Sequence, residues 1–420
     1  MISRQLIDTF IQLFKEKKFQ DLITKSNELI SIEERPSGLS NLIGLSKVLL
    51  NETSKENIIS SIDDFKDAYL KGKKEIFGME ALCNLITISV KNCKKYPELL
   101  KVLKDTEELY LEAEKNFSNN EKLLIAGADL FKYLINQKKV TEILDKLIKI
   151  NSSSKIIRCN YAFNNNFLYS WKAKDYFQYS KEFKNYFSKL KCKKITEINY
   201  NVNKKIKLGF VSGNLYNDHS VTYFLKNTFK YLNKEKFEIY VFSFGNKNNS
   251  KIVDDIKSNI NFNFDISNLE NQKVIDLIQN EKINILIDLF GVTSANRIEI
   301  FNNRVCPIQI SWMGYCNTIG FDTIDYILAD KNLISDDEKK YYSEQILELP
   351  DLWNVHSGFD FERKFNETPF IQKGYITFGS FGNFRKISDE TIKVWSEILN
   401  KVDKSKLVLK SSINYENSIL

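Results

Sequence analysis

Up to about residue 190 the apolar residues recur three and four positions apart, and Gly and Pro are sparse, which predicts a run of amphipathic helices. Two segments read as copies. One is Phe14-K-E-K-K-Phe19 followed by Leu22, Ile23 and Ile30; the other is Ile135-N-Q-K-K-Val140 followed by Ile143, Leu144 and Ile150, an offset of 135 − 14 = 121 residues. In each, a helix ends in a polar turn and a second helix sets its apolar face back toward the first. That is the design of helix hairpins that stack into a solenoid, and the pattern resembles degenerate tetratricopeptide repeats. An irregular helical bundle would show the same periodicity.

After a basic, Asn-rich stretch at 190–205 the period changes to short apolar runs alternating with helices. Strands are predicted at 206–211, 237–244, 283–289, 307–313 and 323–329, with helices at 220–232, 249–259 and 270–281. Near-continuous apolar strands alternating with helices predict a parallel sheet covered on both faces, a doubly wound Rossmann-like domain. A further strand at 375–381, a helix at 388–402 and a strand at 406–411 begin a second such unit. The expected domains are therefore a helical repeat region at 1–190, a sheet domain at 205–360 and the start of another at 372–420. The 49 residues of the last suffice for one β-α-β unit, about half of an independent domain of ~100 residues, so that domain is expected to be incomplete in this sequence.

Composition adds boundaries to this picture. A chain of 420 residues exceeds what one core holds, and 43% apolar with 27% charged residues excludes a disordered chain. Lys plus Arg, 61, less Asp plus Glu, 54, leaves +7, too mild an excess to predict a nucleic-acid partner. The cysteines (Cys83, Cys93, Cys159, Cys192, Cys306, Cys316) show no C-x-x-C spacing, so a reducing cytoplasm is expected. Every apolar stretch is broken well before about 18 residues, and neither secretion nor a membrane partner is expected.

In a doubly wound sheet, ligands bind beyond the carboxyl ends of the strands, which directs attention to three loops. "VSGNLYNDHS" (211–220) leads into a helix that Ser220 can cap and places His219 at the ligand edge, where an imidazole can act as base or donor; a surface histidine beside a cap fits the same letters. "FGVTSANR" (290–297) and "SWMGYCNTIGFDTIDYILAD" (311–330) carry Thr293, Asn317 and Thr318 among glycines, either donors to an oxygen-rich ligand or ordinary turn residues. "GSFGNFRKIS" (379–388) sets Lys386 just before a helix that Ser388 can cap, a place for a phosphate or a solvated basic loop; Arg385 is expected to point elsewhere. With two histidines, His219 and His356, and no D-x-D, P-loop or G-x-G-x-x-G string, neither a metal nor a bound cofactor is expected.

Four blocks in order, "KLGFVSGNLYNDHSVTYFL", "ILIDLFGVTSANRIEIFNNRVCPIQISWMGYCNTIGFDTIDYILAD", "ILELPDLW" and "ITFGSFGNFRKISDETIKVWSEIL", resemble the catalytic region of the protein O-linked N-acetylglucosamine transferase family, over about 160–411. That family, related to protein O-fucosyltransferases and bacterial N-glucosyltransferases, follows tetratricopeptide repeats with two Rossmann-like halves of GT-B type. The resemblance implies a glycosyltransferase that moves a sugar, expected to be N-acetylglucosamine from UDP-N-acetylglucosamine, onto Ser or Thr of a protein acceptor, with inversion and without metal. It implies acceptor proteins held by the helical repeats. Position by position, it implies catalytic parts for His219, as base or positioning group, and Lys386, which neutralises the leaving diphosphate. Thr293, Asn317, Thr318 and Asn383 fall on substrate-binding positions. The sequence departs from the family at Val292, where many bacterial relatives have histidine, and at Cys316, where proline is usual. Its end at Leu420 leaves out later donor-binding loops, so a second expectation stands beside the first: a helical-repeat binding scaffold with a truncated, inactive transferase domain.

Overall fold

The computed structural model describes residues 2–187, 189–195, 204–245, 247–293, 296–359, 361, 364 and 366–410. Contacts divide the chain into two units, Met1–Ser152 with Glu367–Leu420, and Ser153–Asn366.

The first unit opens with eight helices: α1 (Arg4–Lys15), α2 (Phe19–Leu29), α3 (Ser37–Leu50), α4 (Lys55–Lys71), α5 (Ile76–Asn92), α6 (Leu99–Asn116), α7 (Glu121–Tyr133) and α8 (Gln137–Ile150). Each packs on the next in pairs such as α3 with α4 and α7 with α8, while α1, α3, α5 and α7 also touch in series. A series of hairpins whose first helices stack is a solenoid, and it buries Phe10, Leu22, Ile43, Phe65, Leu82, Leu103, Phe131 and Ile143 at 5% exposure or less. The two look-alike hairpins share one turn geometry, at a different register from the one their letters suggest. Lys17 and Ile135 take the left-handed conformation, at φ 58° and 60°. The amide of Lys18 reaches Leu13 O and that of Asn136 reaches Phe131 O, both at 2.9 Å, the six-to-one bond of a Schellman turn. The true offset is thus 135 − 17 = 118 residues. Helical periodicity looks alike when shifted by three, so apolar letters alone left the register one turn out.

The second unit begins with α9 (Lys155–Asn165) and α10 (Ala173–Phe183), which the helical pattern assigns to the repeat region. They differ from that expectation in their packing: Cys159, Ala162, Phe183 and the following Phe187 share a core with Phe242, Val292, Tyr315 and Phe321 of the sheet region. Periodicity reports that a helix has an apolar face and is silent on which neighbour covers it. There follow β1 (Ile206–Ser212), α11 (Ser220–Tyr231), β2 (Phe237–Ser243), α12 (Lys251–Lys257), β3 (Phe262–Asp265), α13 (Asn271–Asn280), β4 (Ile285–Asp288), β5 (Ile308–Ser311), β6 (Tyr326–Ala329) and β7 (Gln345–Glu348). Among the described residues these seven strands form one sheet in the order β3-β2-β1-β4-β5-β6-β7, every pair parallel.

The five expected strands are all present. Two further ones, β3 and β7, are short edge strands with mostly exposed residues, so they lack the apolar run that marks a central strand. Leu208, Phe210, Ile239 and Val241 face α11 and α12 on one side, and Val211, Tyr240 and Phe242 face α13 on the other. Strands buried on both faces explain why the sequence there is apolar without alternation.

Residues 367–410 carry α14 (Pro369–Lys373), β8 (Thr377–Ser380), α15 (Asp389–Lys401) and β9 (Lys406–Leu409), with β8 and β9 parallel. This is the expected β-α-β unit, and no described residue in it is buried. No helix among the described residues is long and apolar enough to cross a membrane.

Candidate active site

Strand order reverses between β1 and β4, and the loops leaving those neighbouring strands carry His219 and Thr293. Such a switch point opens a crevice at the carboxyl edge of the sheet. The loop after β1 is held shut from within: the buried Thr222 hydroxyl faces the carbonyl oxygens of Asn214 at 3.0 Å and Asn217 at 2.9 Å, and the Asn214 amide donates to Ser212 Oγ at 3.2 Å.

His219 ends this loop and is itself the N-cap of α11, accepting the Val221 amide on Nδ1 at 3.3 Å. That differs from the expected Ser220 cap. Ser220 is the first helical residue, and the imidazole nitrogen reaches the orphan amide that a cap hydroxyl would serve. Although exposed at its outer edge, the ring is held below the ordinary histidine value of 6.5 by partial desolvation. A neutral imidazole accepts at one nitrogen and donates at the other, so the cap assigns the proton to Nε2. Nε2 lies 3.4 Å from Asn214 Nδ2, itself a donor, so with the proton on Nε2 the two nitrogens make no hydrogen bond with each other. In this tautomer His219 offers Nε2–H as a hydrogen-bond donor at the end of the loop.

The loop after β4 turns on Asp288, which is not among the residues expected at the site. Its carboxylate is 3% exposed and accepts the amides of Phe290 at 3.0 Å and Gly291 at 2.8 Å. Burial pushes its carboxyl up to about 6, against the downward pull of those two amides. Gly291 adopts φ 55°, a left-handed turn that favours glycine. Thr293, half-buried, donates Oγ1 to Phe290 O at 2.8 Å, so its hydroxyl proton closes the turn. Asp at the end of an apolar strand with Gly three residues later is the spacing that could have flagged this turn.

The third loop, after β5, is pressed against the second: a Cβ on Gly314 would lie 2.0 Å from Leu289 O. Asn317 donates to Asn166 Oδ1 at 2.6 Å, in the stretch just after α9. Thr318 points inward. It is 5% exposed, donates to Glu344 Oε2 at 2.7 Å and accepts the Ser343 amide at 3.1 Å. Glu344, 4% exposed and unremarked in the sequence, also accepts the amides of Ile319 at 2.8 Å and Gly320 at 3.4 Å, and burial raises its carboxyl above the ordinary range. No local signal marks Glu344, because its partners lie some 25 residues away along the chain.

Asn383 and Lys386 belong to the other unit and are described within it. Asn383 caps a single 3-10 turn, accepting the Arg385 amide on Oδ1 at 3.0 Å, and Lys386 is exposed at the end of that turn. Arg385 points away as expected, donating through Nη2 to Gln137 Oε1 of α8 at 2.7 Å. Ser388 caps α15 on the Thr391 amide, with Asp389 and Glu390 in the first turn. Among the described residues no group of three or more His, Cys, Asp or Glu side chains could hold a metal ion.

The segment that carries this edge is similar to known proteins. Residues 187–366 match the family described as Glycosyl transferase family 41. This segment is similar to family 41 glycosyltransferase domains. It contains all of β1 to β7 and every loop residue described above from His219 to Glu344. The chain is 30% identical over 210 residues to the probable UDP-N-acetylglucosamine–peptide N-acetylglucosaminyltransferase SPINDLY of Arabidopsis thaliana, covering 49% of this chain and 23% of that protein. It is 28% identical over 217 residues to the probable UDP-N-acetylglucosamine–peptide N-acetylglucosaminyltransferase SEC of the same plant, covering 49% and 22%. The chain thus spans less than a quarter of the length of these relatives. A solved structure of an O-GlcNAc transferase mutant from Thermobaculum terrenum shares the fold at TM-score 0.69 and 17% identity, over 89% of this chain and 69% of that one.

Proposed function

We propose that the chain acts in the transfer of N-acetylglucosamine from UDP-N-acetylglucosamine to Ser or Thr of a protein acceptor, with inversion and without a metal ion. The observation that carries this reading is the family 41 match over the segment whose switch-point crevice is edged by His219 and Thr293. In this reading Nε2–H of His219 donates to the sugar or its phosphate, Thr293 accepts from the donor, and Asn317 lies on the acceptor side. Lys386, beside the positive end of α15, stabilises the charge that collects on the departing diphosphate, an effect worth several kcal/mol without any metal. Asn383 binds the donor from the same turn, and the inward hydroxyl of Thr318 supports the acceptor-side loop instead of touching substrate. The hairpins of residues 1–152 offer the acceptor protein an extended surface, as solenoids do. The working compartment in this reading is the cytoplasm.

The test is direct. The purified chain is mixed with UDP-N-acetylglucosamine labelled in the sugar, with and without a chelator, and with candidate acceptor proteins. Label on Ser or Thr, unaffected by the chelator, supports the reading. Absence of both transfer and donor binding favours a scaffold that binds proteins through its helical repeats.

A further inference from the structure

The two loops that carry Thr293 and Thr318 share one construction: each is tied to a carboxylate buried beneath it. Asp288 and Glu344 are both nearly inaccessible, and their only hydrogen-bond donors among the described residues are main-chain amides and the Thr318 hydroxyl. Neither has an ion-pair partner there, so neither is the anionic half of a structural salt bridge. An uncompensated buried carboxylate is a poor choice for stability alone, since desolvation opposes its charge and an apolar side chain would pack at lower cost. What it does well is gather amides: one carboxylate offers about four lone-pair directions and can hold two successive backbone N–H groups in fixed positions.

We propose that Asp288 and Glu344 are positioning residues that set the geometry of the 290–293 and 317–320 loops at the sheet edge, and through them the placement of substrate against His219. The inference rests on the transferase reading for its catalytic consequence, though not for the clamp itself. Asp288 holds Phe290 and Gly291, and Phe290 O in turn receives the Thr293 hydroxyl, so the carboxylate is one bond removed from the group that meets the donor. Glu344 holds Ile319 and Gly320, directly behind Asn317. The two loops are also in contact, through Gly314 and Leu289, so a displacement of one is felt by the other. Misplacement of a binding loop by about 1 Å costs on the order of 100-fold in rate.

The experiment compares the full chain with Asp288→Asn, Glu344→Gln and Thr318→Val by peptide-level hydrogen exchange, thermal unfolding, UDP-N-acetylglucosamine binding and transfer kinetics. The expected result is a rise in exchange of about tenfold or more confined to 289–293 in Asp288→Asn and to 317–320 in the other two. It should come with a fall in kcat of roughly 10- to 100-fold per folded molecule. Thr318→Ser, which keeps the hydroxyl, should restore both. A merely structural role would lower the amount of folded protein and raise exchange across the whole unit, leaving kcat and KM of the folded fraction untouched; that outcome overturns the inference, as does unchanged exchange at both loops. If the unaltered chain neither binds nor transfers the sugar, the transferase reading fails, while the exchange pattern still decides whether the two carboxylates hold their loops.

Discussion

Replacing Asp288 by Asn should change how stability depends on pH more than stability itself. The carboxyl is fully enclosed and its value stands near 6 instead of 3.8, with burial as the leading cause. A shift of about 2 units at 1.36 kcal/mol each corresponds to roughly 3 kcal/mol. The sign follows from linkage: below about pH 4 the group is protonated in both states, and its contribution to stability is fully present. Between about pH 4 and 6 the unfolded chain releases the proton while the folded one retains it, so the contribution is lost as pH rises through the folded value. Asparagine does not titrate and removes that dependence. It also turns an amide N–H₂ toward Phe290 or Gly291, leaving one donor unmet at a cost of about 1–3 kcal/mol at every pH. The decisive quantity is therefore the difference between the two proteins' pH profiles, in which other titrating groups cancel. Urea unfolding at pH 4.5, 5.5 and 7, followed by tryptophan fluorescence, suits the question because Trp171, Trp312 and Trp353 all lie in the sheet unit. The unaltered protein should lose roughly 2 kcal/mol relative to the variant between pH 4.5 and 7, the first part of the ~3 kcal/mol being lost already below pH 4.5. Parallel profiles would refute the reasoning, since they would mean that Asp288 ionises in the fold as readily as in the unfolded chain.

Three further outcomes follow from the geometry. His219→Ala should abolish most transfer and cost about 1 kcal/mol through loss of the α11 cap, read by turnover and urea midpoint; in the unaltered protein the cap is present at neutral pH and lost as pH falls, because a doubly protonated ring can no longer accept the Val221 amide. Lys386→Ala should weaken donor use on the order of 100-fold while leaving the unfolding midpoint within about 0.5 kcal/mol, because the residue is exposed and supports no core; calorimetric titration with UDP-N-acetylglucosamine checks it. Gly314→Ala should destabilise the sheet unit by roughly 3 kcal/mol, since its methyl would fall 2.0 Å from the main-chain oxygen of Leu289 and 2.7 Å from Phe290 Cα, backbone that must shift to admit it; a denaturation midpoint unchanged from the parent would contradict this.

Much of this molecule was legible in its letters. The apolar runs of β1, β2, β4, β5 and β6 lie in the sheet interior, where both faces are covered, and such strands advertise themselves by composition. The loops worth searching followed from the rule that parallel sheets bind ligands at their carboxyl edge, and His219 and Thr293 were found on the two that flank the reversal of strand order. Edge strands β3 and β7 escaped because an exposed edge carries polar residues and leaves no apolar run. The letters favour Ser220 as the cap of α11 because a serine hydroxyl is the commoner cap, and only the backbone conformation shows that Ser220 is already helical and His219 the cap.

The amino-acid order by itself determined the class of each element, the sequence of helices then alternating strands, and the residue types offered at the ligand edge, because periodicity and turn chemistry act over a few neighbouring residues. The tertiary structure alone decided that α9 and α10 serve the sheet unit, that the look-alike hairpins repeat at 118 residues, and that Asp288 and Glu344 lie beneath the site loops. Those facts depend on which distant surface covers a face or on which remote amide meets a carboxylate. Such choices are settled by packing and desolvation across the whole fold, and no local pattern carries them.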